Sequence, residues 1–453
     1  MVKKYSDEFF FNIDDLRKFT PPPLDRQDNK LQENQLPYAY LNSASLSIPS
    51  DAVRQKAFST HKRIETLSVK SQTKIYEDTR EKAKQLLGLT HSEYVVFGRN
   101  ATEASSLCYW LADLKKDDRV LCSNIEHDSM QNIFLYHQDH GNDKRTLNKS
   151  SWPFWFYRET QKFELMDSIP TEVNLDFFGL HDLETNTLKQ TFRNLIHEKT
   201  KAVLISHVRR DTGQAIPVNK IISLLRSIKP NLFILVDGTQ AMGNLPKVNF
   251  DLIDCNAYVA SPHKTLNSEV IGVLYLNPKY VTKEQLSKKL QNLSPFTQQK
   301  IITGMLSSKL NIPANSLETI SPSDTVGFLE VLKRLPRQDA STYNFVHFFK
   351  KRRAIKKEFL NLFGKITAYD NCFKVEVPQK PSQTPFILSL KVIGQDYYEL
   401  AEKLSSLGCF VTATFDKSNP QDKFLRLSFQ HSTKRKEIHY FIKVLQGLLK
   451  SGI

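Results

Sequence analysis

Glycine is scarce in this chain, 15 residues against 20 prolines in 453. No GxGxxG or GxxxxGK string occurs, so a glycine-rich loop cradling nucleotide phosphates is disfavoured. The five cysteines, Cys108, Cys122, Cys255, Cys372 and Cys409, show no metal-ligand spacing, and their odd number fits no closed disulfide framework. A reducing cytoplasm is the expected compartment. Apolar runs are short, well under the roughly eighteen residues a membrane span needs, so none is expected. The opening MVKKYSDEFFFNIDDL interleaves acids with a brief apolar run, unlike a secretion signal.

Positive charge is in excess: 63 Lys and Arg against 48 Asp and Glu give a formal net charge of +15. The densest basic run is KKRRAIKK, Lys350 to Lys357. Around it Phe348, Phe349, Ala354, Ile355, Phe359 and Leu360 fall at helical spacing, so the run reads as the solvated face of an amphipathic helix. A nucleic-acid partner is not expected. With 40% hydrophobic residues, the chain can bury a large core over more than one domain.

The stretch that organises the rest runs from Leu232 to Leu276 and contains three short apolar runs, each the length of a buried strand. LFILV ends on Asp237, and AYVA ends on Ser261, Pro262, His263 and Lys264. In an open α/β sheet, ligands bind beyond the carboxyl ends of the strands, so this acid and this lysine can face one ligand. The pairing suits pyridoxal 5′-phosphate (PLP), which needs a lysine for its Schiff base and an acid beside its pyridine nitrogen.

VDGTQ followed by SPHK resembles the cofactor site of the class V aminotransferase family, which includes cysteine desulfurases and selenocysteine lyases. The resemblance implies PLP and the aspartate-aminotransferase type of fold. That fold is α/β, with a large domain whose mostly parallel seven-stranded sheet is sandwiched by helices, and a smaller C-terminal α+β domain. The expected division is an arm over 1–37, a large domain over 38–320 with an insertion near 138–165, and a small domain over 321–453. The insertion carries Trp152, Phe154, Trp155, Phe156 and Tyr157, read as packing.

The same resemblance implies roles. Lys264 carries PLP and acts as base at the substrate Cα, Asp237 pairs with the ring nitrogen, and Gln240 reaches the phenolic oxygen. Ser261 and His263 bind the phosphate. Helix N-termini hold phosphate through free N–H groups, and NATE, starting at Asn100, matches the family's phosphate loop at Ala101 and Thr102, with Asn100 replacing a glycine. His127, in a Glu126–His127 pair, stacks on the ring and shuttles protons. Asn42 approaches the substrate, and Arg426 in FLRLSF matches the arginine that binds the α-carboxylate. Ser321 in LETISPS matches a hydroxyl given to the neighbouring subunit's phosphate, which implies a homodimer with shared sites; Ile320 stands where glycine is usual.

Two departures bear on the reaction. HVRRDTG puts Arg210 at the position of the family's cofactor-binding asparagine, so the resemblance implies that Arg210 is at the cofactor, and it puts Arg209 where the family has serine. The loop TFDKSNPQDK, Thr414 to Lys423, lacks the cysteine on which desulfurases form a persulfide, and Cys409 sits at a strand start where burial is expected. The reading is a PLP enzyme acting on an amino acid through an external aldimine and a Cα carbanion. A desulfurase-like lyase or transferase without the persulfide cysteine comes first. The alternatives are an aminotransferase, an epimerase like isopenicillin-N epimerase, a kynureninase-like hydrolase, or an inactive scaffold.

Overall fold

The computed structural model describes residues 38–115, 117–135, 174–179, 185–246, 248–291, 321–334, 346–364, 373–376, 386–392, 396–416 and 419–450. The expected arm, the aromatic insertion, Cys372 and Ile320 lie outside them. In chain order the strands are β1 Ala39–Tyr40, β2 Val95–Gly98, β3 Arg119–Ser123, β4 Asn174–Phe178, β5 Thr200–Ser206, β6 Phe233–Asp237 and β7 Ala257–Ala260. They continue as β8 Gly272–Leu276, β9 Phe373–Glu376, β10 Ile387–Val392, β11 Cys409–Phe410, β12 Thr412–Asp416 and β13 Asn419–Ser428.

Seven strands form one sheet in the order β2-β8-β7-β6-β5-β3-β4. Only β8 runs against its neighbours, so the sheet is mostly parallel, as the resemblance implied. Strands covered on both faces read as unbroken apolar runs, and VVF, ILV, AYVA and VLYL are indeed buried throughout. β4 was not foreseen: NLDFF alternates, and it occupies the sheet edge beside β3. A four-stranded antiparallel sheet has the order β12-β13-β10-β9, and β1 pairs in parallel with β11. A separate apolar cluster, including Phe359, Leu388, Leu427 and Phe441, underlies these later strands.

The helical pattern expected from Asp51 to Leu87 is two helices, Asp51–His61 and Val69–Leu87, with a short 3-10 turn at Ile64–Thr66 between them. Ser68 starts the second by accepting a hydrogen bond from the Ser71 amide at 3.2 Å, and Gly88 ends it in the left-handed region at φ 65°. The basic run KKRRAIKK lies in the helix Val346–Gly364, but the solvated-face reading needs correction. Lys350, Lys351, Arg353 and Lys357 are exposed, whereas Arg352 and Lys356 are buried. Their i, i+4 spacing puts both on the inward side, where backbone carbonyls accept their hydrogen bonds.

Candidate active site

Strand register brings the candidate residues to one end of the large sheet. Ser206 lies opposite Asp237, Asp237 opposite Val259, Ala260 opposite Val273 and Gly98 opposite Gly272. The carboxyl ends of β2, β5, β6 and β7 therefore line up with the start of the reversed strand β8. That is the edge where loops carrying ligand-binding groups collect.

Asp237, the last residue of β6, is buried and accepts a hydrogen bond from the Thr239 amide at 2.9 Å. Burial raises its pKa against the opposing pull of that amide, Lys264 and Arg210. Gly238 follows because no side chain fits: a Cβ there would fall 2.0 Å from the Tyr258 ring. Tyr258 is itself fixed by stacking on Phe250, centroids 3.9 Å apart, and by a 2.7 Å hydrogen bond between its hydroxyl and His207 Nδ1. The acid is thus set on a packed aromatic base.

Lys264 lies in the single helical turn Pro262–Thr265 after β7, half-buried. Its pKa is lowered to about 8, first by desolvation and then by Arg426 and Arg210, with Asp237 opposing. Among the described residues Lys264 and Asp237 form no ion pair, yet each lies in the other's field. Gln240 is buried in the same region, donating from Nε2 to the Ala44 carbonyl at 2.9 Å.

Arg426 on β13 is buried and donates to Ser45 Oγ at 2.7 Å and to the Arg210 carbonyl at 3.2 Å. Asn42 stands beside it: its Oδ1 accepts from Ser45 Oγ at 3.0 Å and from Thr412 Oγ1 at 2.5 Å. Neighbouring arginines at the β5 loop behave differently. Arg209 is buried in a two-point pair with Asp211, at 2.9 and 2.6 Å, and so braces the loop. Arg210 instead reaches toward Asp128, with Nη2 3.7 Å from Oδ2, and its charge acts on Lys264, Asp237 and Arg426.

At the opposite end of this group lie the predicted phosphate residues. Asn100 caps the helix Ala101–Leu111, its Oδ1 accepting from the Glu103 amide at 2.9 Å. The loop before that helix crosses β8 so closely that a Cβ on Gly272 would sit 2.1 Å from the Asn100 carbonyl oxygen. This brings Ala101 and Thr102 to the edge that also carries Ser261 and His263. His263 donates from Nδ1 to the Ile271 carbonyl at 3.2 Å, and burial, then the Lys264 charge, lowers its pKa to about 4. To hold an anion, its other ring nitrogen must take up a proton.

His127 precedes the helix Asp128–Leu135, and its Nδ1 contacts Ser129 Oγ at 2.8 Å. Sequence reasoning gave its neighbour Glu126 no role, but the structure does. Glu126 is fully buried, joins the ends of β3 and β5 by accepting from Ser206 N at 2.5 Å, Ser206 Oγ at 2.7 Å and the Ser123 hydroxyl, and so anchors the His127 loop. Ser321 contacts Ser323 and accepts from its amide at 3.2 Å, at the start of the helix Pro322–Arg334. Within one chain its hydroxyl is engaged there, apart from the Lys264 group. Cys409 is buried and its thiol is pushed up to about 12, as expected for a packing residue.

The profile of the family "Aminotransferase class-V" matches residues 50–141 and 169–441. The chain belongs to the class-V aminotransferase family. Among curated relatives, a cysteine desulfurase of Escherichia coli O8 (strain IAI1) is 28% identical over 254 residues, covering 54% of each chain. A probable cysteine desulfurase of Synechocystis sp. is 28% identical over 264 residues, 55% of this chain and 54% of that one. The chain thus spans about half the length of these class-V relatives. Solved structures agree in fold over a longer span. The cysteine desulfurase CsdA of Escherichia coli superposes with a TM-score of 0.62 at 18% identity, covering 92% of this chain and 97% of that one. A cysteine desulfurase from Thermococcus onnurineus gives 0.64 at 16%, covering 91% and 95%.

The class-V cofactor is PLP, and the residues present fit it. Ser261 Oγ, Gln240 Oε1 and Arg426 Nε are buried without a hydrogen-bond partner, all in residues grouped with Lys264 and Asp237. Buried polar atoms are almost always satisfied, and a polar ligand such as PLP would complete the bonding of these three. Among the described residues no cluster of metal-ligating side chains occurs, and no helix is long and apolar enough to cross a membrane.

Proposed function

We propose that this class-V protein is a PLP-dependent lyase or transferase acting on an α-amino acid, without a persulfide-forming cysteine. The observation that carries this reading is Lys264: a lysine amine with its pKa lowered to about 8, in the field of the buried Asp237 and of Arg426. When bound, PLP withdraws electrons from the substrate carbon that bears the amine. Asp237, Gln240, Ser261, His263 and the N–H groups at Ala101 and Thr102 would hold it; Ser321 would serve a neighbouring subunit's copy in a homodimer.

The chain's own residues supply the rest. Lys264, with a substantial neutral fraction near pH 8, takes or returns the proton at Cα. Arg426 orients the α-carboxylate through its fork, already steadied by Ser45 and the Arg210 carbonyl. His127, held through Ser129 on a loop anchored by Glu126, would move a second proton. Cys409, buried at a strand start, is too far into the core to serve as a sulfur acceptor. The deciding experiment is borohydride treatment of PLP-loaded protein followed by peptide mapping. Cofactor fixed at Lys264 supports the reading, and its absence there, with Lys264→Ala indistinguishable from wild type, refutes it.

A further inference from the structure

Three parts of the candidate site lie far apart in sequence: the lysine turn, the Gln240 turn and the strand that carries Arg426. One short segment, residues 42–48, is hydrogen-bonded to all three. On the lysine side, the His263 carbonyl belongs to the peptide unit that bears the Lys264 N–H, and it accepts from Ser47 twice. The Ser47 amide donates at 2.7 Å and the Ser47 hydroxyl at 2.5 Å. Asn267 adds a second tie, donating to the Ile48 carbonyl at 2.6 Å from a left-handed backbone at φ 56°.

On the Gln240 side, the Ala44 carbonyl accepts from Nε2 at 2.9 Å. On the arginine side, Ser45 Oγ accepts from Arg426 Nη2 at 2.7 Å and donates to Asn42 Oδ1 at 3.0 Å. The Ala44 amide donates to Ser428 Oγ, two residues along from Arg426, at 2.8 Å. Ser47 is fully buried, whereas Ser45 is exposed. Two serines of one short segment therefore bond to opposite ends of the site. A segment pinned at several points by hydrogen bonds shifts as a unit, so a change at one pin is felt at the others.

We propose that Ser47 is a positioning residue for the amino-acid end of the site. By fixing residues 42–48 to the lysine turn, it sets where Ser45 holds the Arg426 guanidinium, and so how tightly an α-carboxylate binds. The place of that carboxylate on Arg426 rests on the PLP reading above. Coupling is reciprocal, so a carboxylate on Arg426 in turn steadies the lysine turn. If Ser47 merely packed, loss of its hydroxyl would leave carboxylate affinity unchanged, because that hydroxyl bonds to His263 and not to Arg426.

The test is a double-mutant cycle on PLP-loaded full-length protein, with propionate as an inert carboxylate and calorimetry as the readout. Ser45→Ala removes the hydroxyl on Arg426. Ser47→Ala removes the one on the lysine turn and keeps the amide bond to His263. Each single variant should bind propionate at least about threefold more weakly, within the range for residues of one hydrogen-bonded network. The double variant should bind no more weakly than Ser45→Ala, because the Ser47 effect acts through the Ser45 hydroxyl. Ser45→Thr keeps a hydroxyl at an exposed position and should bind propionate as wild type does. Wild-type affinity in Ser47→Ala overturns the proposal. So do single effects that multiply in the double variant, which would make the serines independent, and so does a Ser45→Thr as weak as Ser45→Ala. Wild type that binds no propionate removes the Arg426 clamp and the proposal with it. Borohydride fixation at Lys264 is checked first. Its absence refutes the cofactor reading alone, and the same cycle on the unloaded full-length chain then decides the role of Ser47.

Discussion

The Arg352 guanidinium donates to the backbone carbonyl of Thr265, the residue that follows Lys264. It also donates to the Gly243 carbonyl at 2.8 Å and to the Asn244 side-chain oxygen, while Asn244 donates to the Gln240 carbonyl at 2.7 Å. One buried cation from the helix Val346–Gly364 therefore holds both the lysine turn and the Gln240 turn.

Replacing Arg352 with Met keeps most of the volume and removes every donor. Each buried acceptor left without a partner costs about 1–3 kcal/mol, so the variant should lose about 2 kcal/mol or more. Urea titration measures this, with Arg352→Lys expected in between. A Met variant with the wild-type midpoint would mean that the turns are held by something else.

Lys264 should react with PLP in step with its lowered pKa. Its neutral fraction grows about tenfold per pH unit below the pKa and is nearly complete above it. Loading of cofactor-free protein, followed by absorbance, should therefore accelerate up to about pH 8 and then level off. A rate still climbing at the pH of an ordinary lysine would contradict the depressed value. Lys264→Ala should lose borohydride fixation and at least about a hundredfold in turnover.

Glu126 links the site to stability. Burial, then Asp237, raises its pKa from 4.5 to about 7 in the folded protein, against the Ser123 and Ser206 hydrogen bonds. The folded state then holds the proton more tightly than the unfolded state. Stability from this group is full below the unfolded pKa and is lost as pH rises to about 7. Glu126→Gln keeps the neutral form at every pH, so the fall in stability between pH 5 and 8 should shrink by the order of 2 kcal/mol. Denaturation at both pH values, compared between the two proteins, reads the difference; equal slopes would place the native pKa near normal.

Cys409 should resist alkylation in the native protein, because its thiol is buried and its pKa is pushed up to about 12. Peptide mapping after iodoacetamide checks this. Cys409→Ala should leave turnover within about twofold, the small effect usual for a change that touches no reacting group. Persulfide found on Cys409 during turnover would restore a desulfurase mechanism.

Much of the large sheet was legible because strands covered on both faces are written as continuous apolar runs. Asp237 and Lys264 could be paired from sequence because each directly follows such a run. β4 and β9 escaped notice: NLDFF and FKVE are short, mixed edge strands, without a buried pattern to announce them. Arg352 was misread for a different reason. Pattern reading counts arginine as polar, and its acceptor at Thr265 lies 87 residues away in the chain. Arg209 and Arg210 differed in sequence only by the family residue each replaces; the loop's path, with Asp211 turned back onto Arg209, is what makes Arg209 the bracing residue.

The contact between the Ala44 amide and Ser428 Oγ, at 2.8 Å, joins residues 384 apart. The Ser45–Arg426 bond and the bridge between Asn42 and Ser428 cross the same gap. Contacts so distant along the chain carry a high loop-closure cost and form late. The lysine and aspartate end of the site can assemble within β2 to β8, while the arginine end waits for β13 to meet the segment beside β1. During folding the protein should therefore acquire its cofactor-binding half before its means of gripping an amino acid, and a chain stalled at that stage would hold a reactive lysine with no control over what it meets.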